Sequence, residues 1–249
     1  MRIGFIGVGK IASAIVEGLC TSGIAGLEIF LSPRNEATAT MLAAKFSGVT
    51  RLESNQEVLD RSSVVIVSVR PAAAAEVLGA LRFREDHTVI SVIALLKYAD
   101  LLALAAPAGS VCRAIPLPTV VRHNCPIPVY RASAEVVRLF GVLGEPLVIH
   151  DEGELHAIWT LTGLITPFYE LMAGLSSWAV ANGAEGSTAG AYTAHLFQSL
   201  AAMGSNFPAL AEDAETPGGL NEQAGRAIRE AGAHRAWLAA ADKLLLRFQ

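Results

Sequence analysis

The stretch that decides the fold is Arg2-Ile3-Gly4-Phe5-Ile6-Gly7-Val8-Gly9-Lys10-Ile11-Ala12-Ser13-Ala14-Ile15-Val16-Glu17-Gly18-Leu19. Its first part, Ile3 to Ile6, is a short apolar run and predicts a strand. Ile11, Ala14, Ile15 and Leu19 then recur three and four residues apart, the period of an amphipathic helix. Between them Gly7, Gly9 and Ala12 spell G-x-G-x-x-A. In a dinucleotide-binding βαβ unit each of these positions has a physical task. Gly7 permits the tight turn. Gly9 lacks a Cβ, so a pyrophosphate can approach the backbone. Ala12 is small enough for close helix–strand packing. The free N–H groups of Lys10, Ile11 and Ala12 then face the phosphates, and the helix dipole favours their charge.

Working outward, Leu27–Leu31 reads as a second strand. A carboxylate about 20 residues past the glycines would hold a ribose 2′-OH. That place is held instead by Ser32-Pro33-Arg34-Asn35. Ser32 and Asn35 can donate hydrogen bonds, and Arg34 can pair with a 2′-phosphate. The expected cofactor is therefore NADP(H), with NAD(H) second. Helices are predicted over Glu36–Phe46 and around Gln56–Leu59, with a short strand at Val49–Arg51. Ser63–Val69 is a continuous β-branched strand of the kind covered on both faces. Arg70-Pro71 then opens a helix over residues 72–81. Strands at Thr88–Ile93 and Val111–Ile115, with a helix over Tyr98–Ala105 between them, complete a βα alternation. Such alternation implies a parallel sheet, with ligands beyond the carboxyl ends of the strands. Those ends are Gly7–Gly9, Ser32–Asn35, Val69–Pro71 (Val69, Arg70, Pro71), Ala94–Leu95 and Ile115–Pro118, with Val8 inside the first.

Beyond the sheet, Cys125-Pro126-Ile127-Pro128 reads as a break in regular structure. Ser133–Leu143 is predicted helical and Leu147–Ile149 an edge strand. The polar step His150–Glu154 sets an expected boundary: residues 1–150 bind the dinucleotide, and residues 151–249 form an all-helical domain for dimerisation and substrate binding. Thr166-Pro167 looks like a cap and first residue of a helix running to Ala181, apolar on nearly all sides and so expected to be buried. A helix over Ala189–Met203 carries Tyr192 and His195; His195 is read as a core or interface residue. The final helix is expected over Arg226–Phe248. Before it, Pro217-Gly218-Gly219 makes a turn opening onto a helix near Asn221. The amides of Gly218, Gly219 and Leu220 are expected to be unpaired there, a receptor for a carboxylate, with Thr216 and Asn221 adding side-chain bonds.

Composition narrows the rest. Hydrophobic residues make up 52% of the 249 and charged ones only 17%. One copy cannot hide that much apolar surface, so a homodimer or larger homo-oligomer is expected. Nineteen basic against 23 acidic residues, with no basic run, argue against a nucleic-acid partner. Cys20, Cys112 and Cys125 form no C-x-x-C pair and read as reduced thiols of a cytoplasmic protein. No signal peptide is read. Leu155–Ala181 carries His156, Pro167 and Glu170 and reads as a buried helix, not a membrane span. His150 and His156 with their acidic neighbours match no standard metal spacing.

Taken together, IGFIGVGKIASAI, VIVSVRPAAAAEVL, VISVIA, CRAIP and FPALAEDAETPGG resemble, in order and spacing, the pyrroline-5-carboxylate reductase family, the NAD(P)H enzymes that make proline. The resemblance implies hydride transfer to a C=N bond, most simply of 1-pyrroline-5-carboxylate to give L-proline. It implies a helical domain intertwined with a second copy, and a Thr216–Asn221 segment that binds substrate beside the nicotinamide, with Thr216 and Asn221 as the reacting-site side chains. It also marks departures. The family usually has glycine where Leu95 stands, asparagine where Leu117 stands, two threonines where Leu220-Asn221 stand, and often Asn-Met where Lys10-Ile11 stand. A related cyclic imine, or NADP(H) binding without turnover, are the alternatives these departures raise.

Overall fold

The computed structural model describes residues 1–248. Its first half alternates as expected: β1 (Arg2–Ile6), α1 (Lys10–Thr21), β2 (Glu28–Leu31), α2 (Glu36–Lys45), β3 (Val49–Arg51), α3 (Asn55–Arg61), β4 (Val64–Val67), α4 (Ala74–Gly79), β5 (Thr88–Ser91), α5 (Tyr98–Leu104) and β6 (Ser110–Ala114). Then come β7 (Cys125–Tyr130), α6 (Ala134–Gly141) and β8 (Gly144–Ile149). The eight strands form one sheet in the order β3-β2-β1-β4-β5-β6-β7-β8. Every neighbouring pair is parallel except β6 and β7.

Strand alternation assigns side chains to the two faces. On β4, Val64 and Ile66 join one core with Ile3, Phe5, Ile15, Leu19 and Phe140. Val65 and Val67 join the other, with Ile6, Leu78, Val89 and Leu101. Because both faces are covered, the strand reads as an unbroken β-branched run. Gly4 leaves room for α3: a Cβ there would lie 2.4 Å from Ser62 Oγ and 2.8 Å from Val58 Cγ1.

Cys125–Pro128 is not a break but the start of β7. The prolines sit at alternate positions, so both missing N–H groups point to one edge of the strand. That edge faces β6, where ladder pairing is confined to Arg113–Tyr130 and Ala114–Val129. The Pro128 carbonyl still accepts from Ile115 N–H at 2.9 Å. The other edge carries the full parallel pairing to β8. The helix after Pro71 also differs from expectation: residues 71–73 form a 3-10 turn, and α4 begins at Ala74.

Helices follow: α7 (Glu152–Leu161), α8 (Ile165–Ala181), α9 (Gly186–Ala201), α10 (Phe207–Ala214), α11 (Leu220–Glu230) and α12 (Ala233–Leu245). By contacts the chain divides into two units, residues 1–158 with Phe248, and residues 159–247. The expected boundary at 150/151 lies eight residues before that division.

The helical part departs from expectation in several places. Thr166 is not a cap: a 3-10 turn over Thr162–Leu164 leads into α8, whose N-cap is Leu164. Pro167 is tolerated because first-turn N–H groups need no helical partner. The expected burial of α8 is not met within one chain, since Tyr169 is 62% and Trp178 67% exposed and no residue of the helix is buried. His195 is exposed within one chain, so of its core-or-interface reading the core half is not met. The final helix is two, because Gly232 adopts φ 74° and separates α11 from α12. Among the described residues no helix is long and apolar enough to cross a membrane.

Candidate active site

The sheet order places β2, β1, β4 and β5 side by side and parallel. The ends named from the sequence, Gly7–Gly9, Ser32–Asn35, Val69–Pro71 and Ala94–Leu95, therefore line one edge of the sheet. The strand order reverses between β1 and β4, the position where open α/β sheets hold ligands.

The glycine turn is braced from three sides. Gly7 N–H donates to Ser32 Oγ at 2.9 Å, and Ser68 Oγ donates to the Gly7 carbonyl at 2.8 Å. Asn35 Nδ2 donates to the Val8 carbonyl at 2.7 Å. Gly7 has φ 93°, and a Cβ there would press within 3.0 Å of the Ser68 backbone and Val69. Gly9 is the opposite case: a Cβ would meet nothing within 4 Å. It is the N-cap of α1, and no side chain caps the helix. The first-turn N–H groups of Lys10, Ile11 and Ala12 thus face open space, with no acidic residue in that turn. This is the donor set a pyrophosphate needs.

The segment after β2 is used differently from the sequence expectation. Ser32 is buried and its oxygen serves the glycine turn. Asn35 spends an amide proton on Val8 and holds φ 60° as the N-cap of α2. Both residues shape the turn. Arg34 is exposed and forms no ion pair among the described residues, so its guanidinium is open to an anion. Arg70, also exposed, stands just before Pro71 at the neighbouring strand end. Val69 packs partly against the second core. Leu95 carries φ 63°, a left-handed backbone rarely adopted by a branched side chain. Leu117 packs partly against the first core and its N–H donates to Cys125 Sγ at 3.4 Å.

The second unit holds the other segment. Gly219 is the N-cap of α11, and Gly218 has φ 73°. The expected free amides at Gly218 and Gly219 are not free. Gly218 N–H donates to Glu222 Oε2 at 2.6 Å, and Gly219 N–H to the Thr216 carbonyl at 2.8 Å. Asn221 Nδ2 donates to the Ala214 carbonyl at 3.1 Å. Leu220 is 85% exposed.

A further cluster was not anticipated. Arg113 on β6 is fully buried and pairs with Glu152 at 2.7 Å. The same Glu152 oxygen accepts from Tyr98 N–H at 2.7 Å. His156 Nε2 lies 3.1 Å from Arg113 Nη1, and its ring stacks on Phe248 at 4.8 Å. Burial, then the Arg113 charge, hold His156 below the usual imidazole range. The available signal was an arginine inside the apolar strand SVCRAIP: a buried cation requires an acid. Burial pushes the Cys112 thiol on the same strand up to about 12. Among the described residues no group of three or more His, Cys, Asp or Glu is placed to hold a metal.

The comparisons agree with this geometry. The family model for NADP oxidoreductase, coenzyme F420-dependent, matches residues 2–95. Pyrroline-5-carboxylate reductase of Escherichia coli is 26% identical over 98% of this chain and 96% of its own. The Pseudomonas aeruginosa enzyme of that name is 27% identical over 69% of this chain, and the match spans 66% of its own length, just under two thirds. Over nearly its whole length the chain is similar to pyrroline-5-carboxylate reductases. The fold of the solved Plasmodium falciparum pyrroline carboxylate reductase, a structure with NADP bound, matches over 100% of this chain and 98% of that one, with a TM-score of 0.84 at 16% identity.

Proposed function

We propose that this chain is a reductase of that kind, which uses NADP(H) to reduce a small cyclic imine. The observation that carries the reading is the uncapped start of α1 beside Gly9, where no atom would meet an added Cβ within 4 Å. The backbone of Gly7, Val8, Gly9, Lys10, Ile11 and Ala12 holds the pyrophosphate. Arg34 supports NADP(H) over NAD(H), because a guanidinium pairs with a 2′-phosphate and no carboxylate stands there to repel it. Ser32 and Asn35 keep the turn in shape for it. Val69, Arg70, Pro71 and Ala94 border the nicotinamide.

NADPH, when bound, supplies hydride to the C=N carbon. The substrate enters as an iminium, so the new C–H bond forms as the π pair moves onto nitrogen, which already carries its proton. A neutral amine results and no strong acid is required from the chain. The protein's task is orientation, and a well-placed pair of reactants can supply several kcal/mol of rate acceleration. The Thr216–Asn221 segment, with Gly218, Gly219 and Leu220, positions the ring. The exposed apolar face of α8 serves a homodimer, whose formation hides Tyr169 and Trp178 from water.

By family likeness the ring is 1-pyrroline-5-carboxylate and the product L-proline. A related cyclic imine is the second reading, favoured by the occupied amides of Gly218 and Gly219. Steady-state oxidation of NADPH with 1-pyrroline-5-carboxylate, beside a panel of cyclic imines, tests the reading. Turnover of at least one imine is expected. Tight NADPH binding with no turnover on any of them would leave a dinucleotide-binding protein and not an enzyme.

A further inference from the structure

We infer that Glu152 is a positioning residue for the nicotinamide half of the cofactor site, acting through the backbone amide of Tyr98 on residues 92–97. The inference rests on the NADP(H) reading above. A dinucleotide that crosses the switch point between β1 and β4 lays its adenosine half over the end of β2, where Arg34 stands. Its nicotinamide half then lies over the ends of β4 and β5. Residues 92–97 follow β5 and carry Ala94 on that second side.

Leu95 has φ 63°, a backbone that a residue with a Cβ keeps only where its surroundings fix it. Ile93 is buried and Leu96 packs partly against the second core, so the segment is anchored from below. Its ends are tied as well. At the start, Val92 N–H donates to the Val67 carbonyl at 3.0 Å, and Ile93 N–H to the Oγ of buried Ser91 at 3.2 Å. At the far end the segment runs into α5, whose N-cap, Lys97, makes no side-chain cap bond. The bond comes instead from 54 residues away, where Glu152 Oε1 accepts from Tyr98 N–H at 2.7 Å. A carboxylate acceptor at that distance makes one of the stronger hydrogen bonds a backbone amide forms. Glu152 is itself aimed by Arg113, fully buried on β6, whose Nη1 donates to the same oxygen at 2.7 Å. All of these residues lie in the first unit. The dependence runs from Arg113 to Glu152 to Tyr98 to Ala94, and only the last borders the cofactor.

The test compares Tyr98→Pro with Tyr98→Ala in the full chain. Both lack the ring, and they differ in the N–H that Glu152 accepts. Tyr98 is the first residue of α5, a position that suits proline, and Lys97 before it has φ −63° and ψ 147°, which a following proline permits. The Arg113–Glu152 pair stays intact in both. Two ligands are titrated by calorimetry: NADPH, and adenosine 2′,5′-bisphosphate, which keeps the adenosine half and lacks the nicotinamide. Relative to the alanine variant, the proline variant is expected to bind the bisphosphate equally and NADPH more weakly. Its kcat at saturating NADPH is expected to fall by about tenfold, as misplacement of a reacting group implies. Glu152→Asp, which keeps the charge beside Arg113 and shortens the reach to Tyr98, is expected to give the same pattern against wild type, and decides the matter if the proline variant does not fold. A loss in NADPH affinity or in saturated kcat, with the bisphosphate unchanged, sustains the inference. Equal values for both ligands and for kcat overturn it, and so does a bisphosphate affinity that falls in proportion, the mark of general destabilisation. Wild type that binds neither ligand defeats the NADP(H) reading itself, and this inference with it.

Discussion

A single carboxylate oxygen of Glu152 lies 2.7 Å from Nη1 of Arg113 and 2.7 Å from the amide of Tyr98. It thereby joins the start of α7 to the middle of the sheet and to the start of α5. Arg113 has no exposure to water, so the pair cannot be broken without leaving a charge in the interior. Glu152→Ala is expected to destabilise the first unit by about 3 kcal/mol, the low end for breaking a buried pair because the Glu152 side chain keeps some solvent. The double variant Arg113→Met, Glu152→Leu is expected to recover most of that loss. Urea unfolding curves decide it: a double variant as unstable as the single one would show that the pair itself is not the issue.

His156 makes the same cluster sensitive to acid. Burial comes first and the Arg113 charge second in disfavouring its protonation, outweighing the pull of Glu152. The unfolded chain, near the ordinary value of 6.5, then binds the proton more readily than the folded one. Stability therefore rises with pH through the window below 6.5 and is lost as pH falls across it. Melting temperature is expected to drop on acidification from neutral, and to drop less in His156→Gln. An imidazole NMR titration with its midpoint above 6.5 would contradict the assignment.

Gly7 and Gly9 stand two residues apart and are glycines for different reasons. At Gly7 the backbone is left-handed and an added Cβ touches Ser68. Gly7→Ala is expected to cost about 1–2 kcal/mol of stability from the conformation alone. Gly9 has φ −86° and open space, so Gly9→Ala is expected to fold normally. Its methyl group instead occupies the pyrophosphate's approach, and NADPH affinity is expected to fall by about tenfold or more, or roughly 1.4 kcal/mol. Thermal melts and NADPH fluorescence titrations on both variants separate the two roles. A Gly9→Ala protein that binds NADPH like wild type removes the cradle assignment.

The difference between what was legible and what was not follows the range of the interactions. The βα alternation is local, written in apolar period, so β1 to β6 could be placed from the sequence. Ser32 and Asn35 were recognised as hydrogen-bonding residues at the right strand end. Their partners, Gly7 and Val8, are set by which strands neighbour one another, and sequence order does not state that. The strand at Cys125–Tyr130 was hidden because proline lacks a donor, a loss that matters only on the edge facing a ladder. The Gly218 amide looked free because its occupant, Glu222, sits four positions on, and its reach back across the turn follows only once Gly219 is fixed as the N-cap of α11. The exposed face of α8 shows the converse limit: an all-round apolar helix states that it will be covered, not by what.

Arg34 has no ion-pair or hydrogen-bond partner among the described residues, so its effect is expected to be confined to the cofactor. Arg34→Ala is expected to raise KM for NADPH by about tenfold with little change for NADH, as loss of one charge-assisted contact to a 2′-phosphate implies. Melting temperature is expected to stay close to wild type, because an exposed, unpaired guanidinium contributes little to folding. Equal KM changes for the two cofactors would place the 2′-phosphate elsewhere, with Arg70 the next residue to test.

Leu95 completes the set, because its strain is visible in the backbone itself. At φ 63° a residue with a Cβ carries a penalty of about 1–2 kcal/mol that glycine does not. Replacing the side chain and relieving the backbone are distinct operations here. Leu95→Ala removes the branched side chain and keeps the strain; Leu95→Gly removes both. The glycine variant is expected to be the more stable of the two by about 1 kcal/mol, the reverse of the order in ordinary β or helical backbone, where glycine is the weaker residue. Paired urea midpoints measure the difference. If alanine proves the more stable, the left-handed turn after β5 is not present in solution.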